Sequence, residues 1–293
     1  MPWLKKERLE DIMFKKYEQL KFTDNFMFCH ILQNNPELCK DIVEAILDVK
    51  IREIVRIGKE ESVKPSSDGH GVRLDVYLEG DDAIYDIEMQ TSDTGNLRKR
   101  SRYYQGVLDT DFLKTGHDYN ELRKSYVIFI CSFDLFGEKK PRYTFRNVCD
   151  EVPELELDDE AVKVFVNAKG ALDESSPLLE ELLKYITDGT VSGALTERIE
   201  TDVKEALKNE ETRSKYMTFE WELATKYREG MEAGIEKGME AGIEKGIEQG
   251  IEKGRLDAIR KMLSKLSQED ILSMGYGKDE IERACNMPKD ISE

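Results

Sequence analysis

The chain has 293 residues, 39% of them hydrophobic and 36% charged, which is enough for one substantial domain with an appendage. We expect a cytoplasmic protein: no apolar run is long enough to span a bilayer, the first residues lack a signal-peptide core, and the five cysteines are typical of reduced thiols. Their number is odd and they show no Cys-x-x-Cys spacing, so no zinc site is predicted. The formal charge of −17 divides into −3 for residues 1–150 and −14 for residues 151–293, so acidity does not exclude nucleic-acid binding by the first half.

Three helices are predicted in the first fifty residues. Helical spacing of apolar residues predicts an amphipathic helix over residues 7–20, and a second short helix follows from Phe22 to Leu32. Asn35 followed by Pro36 predicts the start of a third helix that ends near Leu47. Its core-facing residues are predicted to be Leu38, Ile42, Ala45 and Ile46.

Residues 51–63 are predicted to form the first strand, and the Gly- and Ser-rich residues 65–71 a loop. His70 lies in this loop, before the candidate site described next. It either contacts phosphate or transfers a proton, or it is simply an exposed loop histidine.

Residues 72–90 are predicted to form a β-hairpin in which each strand has one apolar and one polar face. If Asp81 and Asp82 form a two-residue turn, the register places Asp75 directly opposite Glu88, with Cβ atoms ~5 Å apart. Two carboxylates that close raise each other's pKa unless a cation lies between them, and Mg²⁺ or Mn²⁺ suits such oxygen ligands. The alternative is an acidic, solvated strand face. The apolar positions are Leu74, Val76 and Leu78 in the first strand and Tyr85, Ile87 and Met89 in the second.

A helix from about Leu97 to Thr115 carries the densest positive charge of the first half. Arg98 and Arg102 are four residues apart and share one face, while an apolar face begins at Tyr104. The helix therefore either presents guanidinium groups to phosphate or is a solvated helix packed on its other side.

The apolar run within residues 125–133 predicts the central strand of the sheet, covered on both faces. Residues 143–148 and 162–167 are predicted to form two more strands, and residues 177–186 a helix that ends before Gly189. Together these elements predict an α/β core in which helices flank a central mixed sheet.

Glycine recurs at every fourth position from Gly230 to Gly254, followed by Met or Ile and then Glu. The seven glycines cost an isolated helix on the order of 5–7 kcal/mol relative to alanine. The segment is therefore either a helical self-association element or an acidic linker to two final helices at about 255–265 and 268–285. We expect three parts: a domain over residues 1–190, a helical connector over 191–229 and the repeat with final helices over 230–293.

The hairpin, with an Asp on one strand and Glu-x-Gln on the next, resembles the PD-(D/E)XK nuclease signature. More closely, residues 10–230 are similar to the PD-(D/E)XK nuclease family transposases, also called recombination-promoting nucleases. The segments that carry this resemblance are Phe22–Phe28, Arg100–Gln105, Gly116–Tyr119, Ser125–Cys131, Phe133–Gly137, Tyr143–Asn147 and Phe165–Gly170. The resemblance implies a restriction-endonuclease-like core.

The resemblance also implies a metal-dependent site. Asp75, Glu88 and the backbone carbonyl of Met89 would hold Mg²⁺ or Mn²⁺, and Gln90 would orient the attacking water. Glu44 would be a further metal ligand, as a helix acid is in some relatives; otherwise it is a surface glutamate. Two departures from the signature are Leu74 in place of proline and Gln90 in place of lysine, whose charge a neutral amide cannot supply.

These features predict a Mg²⁺-dependent endodeoxyribonuclease linked to recombination or transposition, with Arg98, Arg100, Arg102 and Tyr104 contacting DNA. We expect it to be a homo-oligomer joined through the repeat. The alternative is a catalytically weak or inactive nucleic-acid-binding or oligomeric interaction protein of the same fold, and the missing lysine is its main support.

Overall fold

The computed structural model describes residues 15–59, 62–63, 72–113, 116–171 and 176–287. Most of the predicted helix over residues 7–20 and all of the loop with His70 lie outside these ranges; at the end of that helix, Tyr17–Gln19 form a short 3₁₀ turn. The chain divides into two compact units, residues 1–220 and residues 221–293.

The first unit contains both helices and strands, and the second unit is helical. The helices are α1 Asn25–Asn34, α2 Pro36–Leu47, α3 Leu97–Phe112, α4 Pro177–Asp188, α5 Ala194–Lys208, α6 Glu210–Leu263, α7 Gln268–Ser273 and α8 Lys278–Cys285. The strands are β1 Ile54–Lys59, β2 Ser62–Val63, β3 Val72–Arg73, β4 Val76–Gly80, β5 Ala83–Gln90, β6 Lys124–Cys131, β7 Arg142–Phe145 and β8 Ala161–Asn167.

Six strands form one mixed sheet in the order β1-β4-β5-β6-β8-β7. The β4 strand is antiparallel to β1 and β5, whereas β5, β6 and β8 run parallel, and β7 returns antiparallel to β8. The β6 strand lies inside the sheet and is buried from Ser125 to Cys131, as its apolar run predicts. A mixed sheet with flanking helices confirms the predicted α/β class.

Both faces of the sheet are covered. One face packs in the main core, which includes buried residues of α1, α2, α4 and α5, and α2 contributes Leu38, Ile42, Ala45 and Ile46 as predicted. A second core, which includes Leu97, Tyr104, Val107 and Leu108 of α3, lies against the other face. Both strands of the hairpin are therefore buried on both sides, which contradicts the alternative of an acidic, solvated strand face. Alternation along a strand shows two chemically different faces, but it cannot show that a later helix covers the polar one.

The helix α5, which the sequence places in the connector, packs in the main core through Leu195, Ile199 and Val203. In the second unit, the end of α6 packs with α7 and α8 around a small core of Ile259, Ile271, Ile281 and Ala284. No described helix is long and apolar enough to cross a membrane.

Candidate active site

The predicted pairing of the two acids is present. The β4 and β5 strands pair Val76 with Ile87, which makes Asp75 and Glu88 the next opposed residues. The Asp75 amide donates to Glu88 Oε1 over 2.9 Å, and the Met89 amide donates to Asp75 Oδ2 over 3.3 Å. Each carboxylate is thus fixed by the backbone of the strand that carries the other.

Helix α1 supplies two further contacts to Asp75 that the sequence did not predict. Asn25 Nδ2 donates to Asp75 Oδ1 over 2.8 Å, and Gln33 Nε2 donates to the Asp75 carbonyl over 3.0 Å. These residues lie 50 and 42 positions before Asp75, so no local pattern links them to it. The one available signal is that Asn25 belongs to the Phe22–Phe28 segment that carries the family resemblance.

Arg100 of α3 joins three of the predicted site residues. Its Nη2 lies 3.3 Å from Glu88 Oε2 and 2.8 Å from the Tyr104 hydroxyl, and its Nη1 donates to Gln90 Oε1 over 3.2 Å. The guanidinium also lies over the rings of Tyr104 and Phe129. Its side chain is only 28% exposed, so Arg100 belongs to the acidic site and not to an outer arginine face.

Asp86 is a third acid at this site that the sequence analysis did not single out. It precedes Glu88 by two residues on the same strand face and is completely buried. Neither carboxyl oxygen has a hydrogen-bond partner among the described residues. Its membership of the polar strand face shared with Glu88 is the signal that could have found it.

The electrostatics of the site favour bound protons or a bound cation. Burial and the neighbouring Asp75 raise the pKa of Asp86 well above its usual value, and Arg100 opposes this shift. Burial, Asp75 and Asp86 likewise raise the pKa of Glu88. The positive charge of Arg100 therefore offsets only part of the cost of holding these acids together.

The other residues predicted to contact DNA have different surroundings in the structure. Arg98 Nη2 donates to the Leu135 carbonyl over 3.1 Å, and its guanidinium lies over the Phe136 ring. Arg102 is exposed on α3. Tyr104 is only 8% exposed, and burial raises its pKa to about 12, so it supports Arg100 instead of facing an outer ligand.

Glu44 is not joined to the acidic pair by any hydrogen bond described in the structure. Its Oε2 lies 2.6 Å from Lys50 Nζ, and its Oε1 accepts a hydrogen bond from the Ile51 amide over 2.8 Å. Because both oxygens have protein partners near the end of α2, we leave Glu44 out of the ligand set proposed below. His70 lies outside the described residues.

The residues of the hairpin fit an oxygen-preferring divalent cation. Asp75 and Glu88 supply carboxylate oxygens, and the Asp86 carboxyl, which has no hydrogen-bond partner among the described residues, adds negative potential when it is ionised. Within the described ranges, no three His, Cys, Asp or Glu side chains lie close enough together to hold one metal ion. A cation at this position would therefore have two carboxylate ligands at most, with backbone oxygen and solvent as its other ligands, as Mg²⁺ sites often have.

Comparison with known proteins gives one finding. The model of the family described as PD-(D/E)XK nuclease family transposase matches residues 23–239. No curated protein matches the chain. No solved structure matches it either.

Proposed function

The chain belongs to the PD-(D/E)XK nuclease family transposases, and from this membership and the acidic site we propose that it is a Mg²⁺-dependent endodeoxyribonuclease. The observation that carries the proposal is the cross-strand pair of Asp75 and Glu88, joined through the Asp75 amide and bordered by Arg100 and Gln90. Asp75 lies before the hairpin turn and Glu88 near the end of β5, which is the order of acids in the PD-(D/E)XK signature.

Each residue has a specific task in this proposal. Asp75 and Glu88, with the Met89 carbonyl, would hold Mg²⁺, or Mn²⁺ in its place. When bound, such an ion lowers the pKa of water and offsets negative charge on the reacting phosphate. Gln90 would orient the attacking water by hydrogen bonding, and Asn25 would keep Asp75 in place.

Arg100 provides a positive charge beside the glutamine that replaces the signature lysine. Gln90 cannot offset charge on the phosphate, but the guanidinium bonded to its Oε1 is always protonated and can. Arg100 cannot accept a proton, so its task is charge compensation and positioning of Gln90, not base catalysis. Arg98 and Arg102 would contact the DNA backbone away from the reacting phosphate.

A specific observation also favours the alternative, a nucleic-acid-binding protein of this fold with weak or no cleavage. Arg100 already contacts Glu88, which a divalent ion would otherwise neutralise. In this alternative the arginine stabilises the acids permanently, and the site has a structural role.

We infer two further properties from the family and the repeat. The reaction would serve transposition, which the family description names, or the related process of recombination. The chain would act as a homo-oligomer joined through the glycine repeat.

The test is nicking of supercoiled plasmid by the full chain with Mg²⁺, with Mn²⁺ and with EDTA. We expect nicking that needs the metal, is lost in Asp75→Ala and Glu88→Ala, and is retained in the exposed control Asp82→Ala. Arg100→Lys should keep more activity than Arg100→Gln because it preserves the charge. Absence of nicking in the wild-type chain, or nicking that survives both acid substitutions, would leave the binding protein as the better assignment.

A further inference from the structure

The α6 helix carries a continuous row of exposed apolar side chains in the second unit. Every fourth residue from Leu223 to Ile251 is apolar, and each is between 44% and 67% exposed. An ordinary monomer surface shows such residues singly, not as an unbroken row along one helix. The row consists of Leu223, Tyr227, Met231, Ile235, Met239, Ile243, Ile247 and Ile251.

The spacing of the row determines the shape of a surface that could cover it. With 3.6 residues per turn, each four-residue step rises about 6 Å and moves about 40° around the helix, so the row turns through about 280° in all. A straight partner helix would lose contact with the row after a few residues. Because the row repeats every four residues, which is more than one turn, a partner helix keeps contact only by coiling around α6 in a right-handed supercoil.

The glycines beside the row permit close approach of such a partner. Nothing lies within 4 Å of a Cβ placed at any glycine from Gly230 to Gly254, so this side of the helix is open. Glycine also weakens an isolated helix by about 0.8–1 kcal/mol per residue, so the helix needs another source of stability. Apolar contacts with a partner would supply it.

The distribution of charges around the repeat favours a second copy of this helix, in parallel orientation, as the partner. Around the helix, the Glu positions border the Met/Ile side of the apolar surface, and Lys237 and Lys245 border the glycine side. No ion pair joins side chains within residues 230–251 of the described chain, so these charges are available. The glutamates also stack at i,i+4 along one chain, which is unfavourable unless a cationic surface faces them.

In a parallel pair, the Glu side of one helix faces the Lys side of the other, whereas an antiparallel pair places like charges together. We propose that residues 223–254 form a parallel, right-handed homodimeric helix pair through the apolar row. This proposal specifies the self-association inferred above and does not depend on the nuclease activity.

Sedimentation of the full chain tests the surface. We expect dimers that dissociate on dilution, and Ile243→Glu should shift the chain to monomer at concentrations where the wild type is dimeric. Met217→Glu makes a similar apolar-to-glutamate change at an exposed position of α6 that lies before the row, and it should change the dimer fraction much less. A monomer at every concentration, or a dimer unaffected by Ile243→Glu, would overturn the proposal.

Disulfide mapping tests the orientation. Ile235→Cys and Ile251→Cys would be made separately and mixed, in a Cys149→Ser, Cys285→Ser background, because the other three cysteines are buried. The two positions are ~24 Å apart along the helix, so a parallel pair forms only 235–235 and 251–251 disulfides. Peptide mass spectrometry that finds 235–251 disulfides instead would show an antiparallel pair and overturn the orientation. Plasmid nicking by the same variants reports separately on the proposed nuclease.

Discussion

Among the described residues, the buried Asp86 carboxyl has no hydrogen-bond partner, and its closeness to Asp75 and Glu88 has a measurable cost. A buried charge without a partner is unfavourable, so the folded protein binds a proton at Asp86 more tightly than the unfolded chain does. Its stabilising contribution is present below the unfolded pKa of about 3.9 and is lost as the pH rises through the raised folded pKa. The metal-free protein should therefore become less stable across this interval.

Asp86→Asn removes that dependence because the amide is neutral at every relevant pH. We expect the metal-free variant to be more stable than the wild type at pH 7, by on the order of 1–3 kcal/mol, and the difference to shrink towards pH 4. Glu88, whose pKa is also raised, remains and keeps part of the pH slope. Urea unfolding in EDTA at both pH values measures the effect.

The exposed Asp82 provides the matched control, since Asp82→Asn makes the same chemical change in solvent. An Asp86→Asn variant that is no more stable than the Asp82 control at pH 7 would contradict the argument. It would mean that Asp86 has a favourable interaction in its charged form.

The sequence predicted the two acids and their register but not the full site. A two-residue turn joins the strands next to Asp75 and Glu88, so the pairing rules for a hairpin are enough to place the two acids opposite each other. Asn25 and Asp86 were missed for different reasons: Asn25 comes from a helix packed by tertiary contacts, and Asp86 is distinguished only by its burial. Arg100 was identified as a site residue, but its contact with Glu88 depends on how α3 packs across the sheet.

At the scale of the element, the local sequence pattern predicted a helix or strand correctly where one interaction dominated its formation. The β6 strand was predicted because a near-continuous apolar run is typical of a strand covered on both faces. The start of α2 was predicted from Asn35 followed by Pro36, and Asn35 does accept a hydrogen bond from the Leu38 amide. The alternative of a solvated face on β5 is contradicted because α3, later in the chain, covers that face. Helical order in the glycine repeat was left open, since propensity opposes it and only association would favour it.

The glycines of α6 should have opposite effects on helix formation and on association. Gly242→Ala meets no atom within 4 Å in the single chain, so alanine should favour the isolated helix by about 0.8–1 kcal/mol. The added methyl group would however separate two closely packed helices. We therefore expect circular dichroism of dilute protein to show more helix, and sedimentation to show a weaker dimer.

Ala241→Gly is the control for that substitution, because it lowers helix propensity beside the apolar row without adding volume. It should reduce helicity in dilute protein. If Gly242→Ala strengthened both helix and dimer, propensity alone would explain the result and close approach at the glycines would be excluded.

At the scale of the whole molecule, the two units differ in how they are stabilised. The first unit encloses two large cores around the sheet, whereas the described core of the second is a small cluster at the end of α6. The repeat contributes no buried side chain within residues 230–251. In the proposed dimer, its helix would therefore depend on self-association more than the sheet does.

This difference predicts hydrogen exchange that varies with protein concentration in only one part of the chain. Binding of a second copy stabilises the segment that forms the interface, so amides of residues 230–254 should exchange more slowly as the full chain is concentrated. Amides of β5 and β6 should exchange at a constant rate, because their protection comes from cores within one chain. Exchange in the repeat that did not respond to concentration would mean that the helix is stable without a partner, and the apolar row would then need another explanation.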